Sequence, residues 1–180
     1  MAKGKYRLLF NTTYQDYNGN DIVEIGKIVD SETDQDALIV FYDKNLFRNC
    51  HYHMTPVEYR KEDKTTFAVH MDDTHRDILY SQPDILLGLL LHELGHHMNG
   101  DYRRDGDIET NREERMNSIL EGRVQEVESR ADAFAVDQIG KNKYLRCFDY
   151  LIKKRKERRD DGMELAIREF ELRKKAVQRL

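Results

Sequence analysis

The tightest limit on how this chain can fold comes from residues 82–99, its most apolar stretch. Here the run Ile85-Leu86-Leu87-Gly88-Leu89-Leu90-Leu91 holds no polar side chain, and helix punctuation brackets the segment. Ser81 can cap, Pro83 suits a first turn, and Asp84 stands at the capping-box spacing. At the other end, Gly100 can take the left-handed position that closes a helix. A helix that is apolar nearly all round belongs in an interior. Yet the same segment contains His92-Glu93-Leu94-Gly95-His96. Polar groups buried without partners are strongly unfavourable, so the fold must bring partners to them.

The rest of the chain orders itself around that helix, with strands before it and helices after. Residues 1–80 read as β-rich, with β-forming runs at 37–42 and 65–71 and turn chemistry at Asn18-Gly19-Asn20 ahead of Ile22-Val23-Glu24-Ile25. Beyond Gly100 the period is helical. One helix is expected over 113–139, where Leu120, Val124, Val127, Ala131 and Phe134 form a stripe; a second is expected over 143–159. A third, over 163–180, would place Met163, Ile167, Phe170, Val177 and Leu180 on one face. Strands followed by helices predict an α+β fold, with a small mixed N-terminal sheet packed on the helix of His92 and the helix of Glu128. With two prolines, no repeat and no low-complexity stretch, 1–180 reads as one domain.

His92 and His96 are separated by one helical turn, so both imidazoles can face one ion. Glu93 lies about 100° further round the helix from His92, where a base acting on a metal-bound water belongs. Gly95 removes a side chain from the crowded side. In the later helix Glu128 shares a face with Val124, Ala131 and Ala135, so its carboxylate points inward as a third ligand. Asp132, one turn on, is placed to hydrogen-bond the far nitrogen of a ligand histidine. Ala131 and Ala135 are small enough to let two helices approach and share an ion.

These residues, His92-Glu93-Leu94-Gly95-His96 followed by Met98-Asn99-Gly100-Asp101 and then Glu128-x-x-Ala131-Asp132-x-x-Ala135, resemble the gluzincin metallopeptidases. The pattern is similar to that of the HtpX and CAAX-prenyl-protease family, and to the short soluble ImmA/IrrE-type peptidases that act on phage-like repressors. The resemblance covers about 50 residues, 86–139. It implies one Zn2+ per chain held by His92, His96 and Glu128, with Glu93 as catalytic base and Asp132 behind the ligands. It also implies hydrolysis of peptide bonds in a protein or peptide substrate, a repressor-like regulator among the candidates. His97, Tyr102 and Arg173 are candidates for stabilising the oxyanion, and residues 66–71 for the edge strand that aligns a substrate. The HtpX-type enzymes are membrane-embedded, whereas the longest apolar run here is far short of the roughly 20 residues a span requires. A stand-alone soluble enzyme is therefore the expectation.

Charge and composition narrow the setting. Charged residues make up 36% of the chain and the net charge is −4, with a mean hydropathy of −0.82. The N-terminus begins basic without an apolar signal region, so a cytoplasmic protein is expected, and Cys50 and Cys147 read as ordinary thiols. Residues 141–180 carry 14 Lys and Arg against 7 Asp and Glu. That basic end, including the run 153–159, reads as solvated helix surface, and with no groove-reading motif nucleic acid is not an expected partner. Cys50-His51-Tyr52-His53 lacks a matching metal pair and reads as loop chemistry; His70, Asp72, Asp73 and His75 read as a polar turn. Residues 103–117 are open between a lid and a polar connection. One competing class remains, a zinc-stabilised module without turnover that acts through its basic C-terminal helices. Such a module has no use for Glu93.

Overall fold

A computed structural model describes residues 5–10, 22–43, 54–61, 64–71, 78, 81–101, 112–158 and 162–180. The fold is α+β. Among the described residues, strands precede helices: β1 (Tyr6–Phe10), β2 (Ile22–Asp30), β3 (Asp36–Asp43), β4 (Met54–Lys61), β5 (Lys64–Met71), α1 (Pro83–Asn99), α2 (Arg112–Leu120), α3 (Glu126–Ile139), α4 (Lys141–Arg158) and α5 (Met163–Arg179). The chain divides into two compact units, Met1–Leu90 and Leu91–Leu180, and the division falls within α1. Among the described residues, no helix is long and apolar enough to cross a membrane.

In the first unit the strands form one mixed sheet in the order β1-β2-β3-β5-β4. β3 and β5 pair in parallel and the other neighbours are antiparallel. β3 lies in the middle, and its run Leu38-Ile39-Val40-Phe41-Tyr42 is buried at every position. An unbroken apolar run is what a strand covered on both faces needs. In β2 the register shifts between Glu24 and Gly26, a bulge that accompanies the full burial of Ile25. His70 sits opposite Phe41 across the β3–β5 pairing, the rings edge-to-face at 5.4 Å. It is a strand residue rather than part of a polar turn. β5 lies between β3 and β4, so residues 66–71 are not an edge strand; the edges are β1 and β4. Residues 18–20, the cluster 50–53, residues 72, 73 and 75, and positions 103–111 of the segment open between a lid and a polar connection lie outside the described residues.

The helices begin and end close to their expected positions, with two corrections. α1 starts one residue later than the Ser81 cap implied: the Gln82 carbonyl accepts from the N–H of Leu86, and Pro83 takes the first helical position, where its missing N–H costs nothing. The second correction concerns the expected helix over 113–139, which is two helices. At Gly122 the backbone turns left-handed, with φ 76°. The N–H of Gly122 donates to Ile119 O and that of Arg123 to Ser118 O, the paired closure of a Schellman motif. The presumed stripe breaks there. Leu120 is 58% exposed, while α3 buries Glu128, Ala131, Asp132 and Ala135. α5 buries Val177 as expected, but its other buried residues are Glu169 and Arg173, while Met163, Ile167 and Phe170 are half-buried and Leu180 is 65% exposed.

The Gly122 closure makes a prediction of opposite sign to that of a continuous helix. A Cβ added at Gly122 meets nothing within 4 Å, so Gly122→Ala feels only the left-handed backbone penalty of about 1–2 kcal/mol. Urea unfolding is expected to show destabilisation of that order. A gain of about 1 kcal/mol, the ordinary result of Gly→Ala inside a helix, would mean that 113–139 is one helix after all.

Candidate metal centre

The site is built within the second unit, by α1, α3, α4 and α5. The spacing of His92 and His96 on α1 brings their rings together at 4.6 Å between centroids. The two Nε2 atoms stand 3.1 Å apart. Glu128 Oε2 lies 3.3 Å from His92 Nε2 and 3.9 Å from His96 Nε2. Three buried side chains thus offer one donor atom each to a common point, and the group can hold a metal ion. Ligand atoms of a tetrahedral ion bound at about 2.0–2.2 Å stand roughly 3.3–3.6 Å apart. The observed separations bracket that range.

Helix packing explains how the ligands meet. A Cβ on Gly95 would lie 3.0 Å from Ala131 Cα, 3.1 Å from Ala131 O and 3.2 Å from Phe134 Cβ. Backbone cannot yield as a side chain can, so the approach of α1 to α3 depends on glycine at 95 and alanine at 131. That approach carries His92 and His96 to Glu128.

Each histidine is oriented from behind by its own carboxylate. His92 Nδ1 is 3.0 Å from Asp132 Oδ1, as the sequence pattern anticipated. His96 Nδ1 is 3.0 Å from Asp101 Oδ2, a contact that helix spacing could not reveal. It arises because α1 ends in a second Schellman closure: Gly100, with φ 70°, donates to His97 O while the Asp101 N–H donates to His96 O. The turn folds Asp101 back under the histidine it serves. With each Nδ1 turned to a carboxylate, both Nε2 atoms face the common point. The carboxylates are themselves held, Asp101 by Arg130 at 2.5 Å and Asp132 by the Tyr144 hydroxyl at 2.5 Å and by Arg173.

Opposite charges within the buried cluster shift the protonation of its members in different directions. Burial and Arg173 oppose protonation of His92, but Asp132 and Glu128 outweigh them and raise it to about 9. His96 moves the other way, lowered by burial and by the His92 charge. Burial would raise the Asp132 carboxyl, but Arg173 and His92 bring it down to about 2. Glu128 is buried too, and Arg173 and His92 keep it well below the usual carboxylate range. Burial and Asp132 push the Tyr144 hydroxyl well up, so it remains a donor. Glu128 Oε2 is buried, 2.8 Å from Arg173 Nη1, which pairs its charge. A buried anionic oxygen beside two imidazole nitrogens fits an ion-binding set.

Glu93 follows His92 on α1 and is half-buried. Of the oxyanion candidates, Arg173 is 5% exposed and engaged with Asp132 and Glu128, His97 is exposed on α1, and Tyr102 lies outside the described residues. Asp101, Tyr144 and Arg130 are the site residues that the sequence reading assigned no role. Asp101 stood in the motif that follows His96, directly after Gly100, but without an assigned role. No family model matches this chain, and neither does any curated protein or solved structure.

Gly95→Ala tests the helix approach directly. Alanine favours a helix by about 1 kcal/mol over glycine, so an unhindered site would be stabilised. We expect the reverse, a lower melting temperature together with at least tenfold weaker Co2+ uptake by metal-free protein, read by thermal melting and metal titration. Raised stability with unchanged uptake would contradict the packing described.

Proposed function

We propose that the chain is a zinc-dependent metalloendopeptidase of gluzincin type, acting on a protein or peptide substrate. The observation that carries this reading is the convergence of His92 Nε2, His96 Nε2 and Glu128 Oε2, with Glu93 beside them on α1. Two imidazoles and one carboxylate suit Zn2+, and three protein ligands leave a coordination position open for chemistry. When bound, the ion would supply a Lewis acid that polarises a carbonyl and acidifies a water.

The chain's own residues supply the remainder. Asp132 and Asp101 fix the two histidines in the tautomer whose Nε2 lone pairs point inward. Glu93 acts as general base: its carboxylate takes a proton as the water oxygen bonds to the scissile carbonyl carbon. It then gives that proton to the amide nitrogen as the C–N bond breaks. Burial of His92, His96, Glu128 and Asp132 strengthens each charge interaction among them.

The test compares newly created protein N-termini in a lysate treated with zinc-loaded wild type or Glu93→Gln. Termini produced by wild type alone are expected, with at least a hundredfold loss of their formation in the variant, while zinc content stays equal. Identical profiles from two zinc-loaded proteins would overturn the peptidase reading. A biological effect that survives Glu93→Gln but disappears in Glu128→Ala would instead identify a metal-stabilised binding module.

A further inference from the structure

The C-terminal helix carries a buried cation that the proposed reaction does not use. Arg173 reaches from α5 to α3, where Glu128 and Asp132 stand one turn apart. Its Nε donates to Asp132 Oδ2 at 3.0 Å and its Nη2 to Asp132 Oδ1 at 2.6 Å, while Nη1 lies 2.8 Å from Glu128 Oε2. Nη2 is also 3.2 Å from His92 Nδ1 and 3.1 Å from His92 Nε2. Nη2 thus stands close to both ring nitrogens of His92 rather than to one. The Phe148 ring closes the other side, 5.4 Å from the guanidinium carbon. One turn earlier on α5, Glu169 accepts both arms of Arg115 at 3.0 Å, and Arg115 Nη2 stands 3.9 Å from Glu128 Oε1.

We propose that Arg173 is a positioning residue of the metal centre, a guanidinium clamp that fixes the ligand carboxylate Glu128 and the histidine-orienting carboxylate Asp132 in register with His92. Two like charges four residues apart on a helix repel, and burial sharpens the repulsion. Left to themselves, Glu128 and Asp132 would turn apart. A planar fork spans two carboxylates at once, which the point charge of a lysine cannot do. The clamp makes α5 part of the metal centre and gives its most buried basic residue an inward role. It rests on the reading of His92, His96 and Glu128 as a metal site.

The experiment titrates Co2+ into metal-free, full-length wild type, Arg173→Lys and Arg173→Met, following the visible ligand-field bands and far-ultraviolet circular dichroism. Arg173→Lys is expected to fold, to bind Co2+ roughly 10- to 100-fold more weakly, and to show altered bands because Glu128 no longer holds its place. A purely structural role would lower the melting temperature and leave the affinity and bands of the folded protein unchanged, which would overturn the clamp. Tighter binding, the result of simply removing a nearby positive charge, would also overturn it. Should a single variant fail to fold, Arg173→Met is made in an Asp132→Asn background and compared with Asp132→Asn alone; weaker uptake and further altered bands in the double variant support the clamp, and equal behaviour of the two refutes it. Absence of Co2+ uptake by folded wild type removes the metal-site reading and the clamp with it, whereas normal wild-type uptake with unaltered variants removes the clamp alone.

Discussion

Three electron-pair donors held against one another inside an apolar helix packing are the constraint on which the second unit depends. Two imidazole nitrogens 3.1 Å apart and a carboxylate oxygen within 4 Å of both need positive charge beside them, and Arg173 supplies some of it, 2.8 Å from Glu128 Oε2. The surrounding structure is organised to sustain that arrangement. Gly95 and Ala131 bring the backbones close, Asp132 and Asp101 turn the rings, and Tyr144, Arg173 and Arg130 hold those carboxylates in turn.

The charges nest outward in pairs. Asp132 stands behind His92 and Arg173 beside Asp132; Asp101 stands behind His96 and Arg130 beside Asp101. Glu128 lies between Arg173 and Arg115, and Glu169 answers Arg115. Buried charges are stable only when paired and well oriented, so each member of this series needs the next. Tolerance of substitution should therefore fall towards the histidines. Because the outer partners come from α3, α4 and α5, the centre is a property of the packed helices rather than of the His92–His96 segment alone.

What could be read from the sequence was whatever lay on one helix. His92 and His96 share a face by periodicity, as do Glu128 and Asp132, and the apolar character of α1 required partners for its histidines. The α+β class followed from strands preceding helices. Contacts that join different helices were not legible: Arg173 to Asp132 spans 41 residues, and Tyr144 reaches Asp132 across 12. Asp101 depends on the left-handed turn at Gly100. Gly122 carries no visible stop signal because the residues around it keep an apparent period across the break, yet two backbone hydrogen bonds end the helix there. Placing residues 66–71 at an edge failed for a similar reason, since the parallel pairing of β5 with β3 is fixed by tertiary packing rather than by strand composition.

The central claim is that one ion occupies the point shared by His92, His96 and Glu128, and anomalous diffraction from crystals grown with zinc tests it most directly. The account predicts one strong anomalous peak at the zinc edge, bounded by the two Nε2 atoms and Glu128 Oε2, with Glu93 near it. A map with no peak there, or with its peak at other side chains, would contradict it.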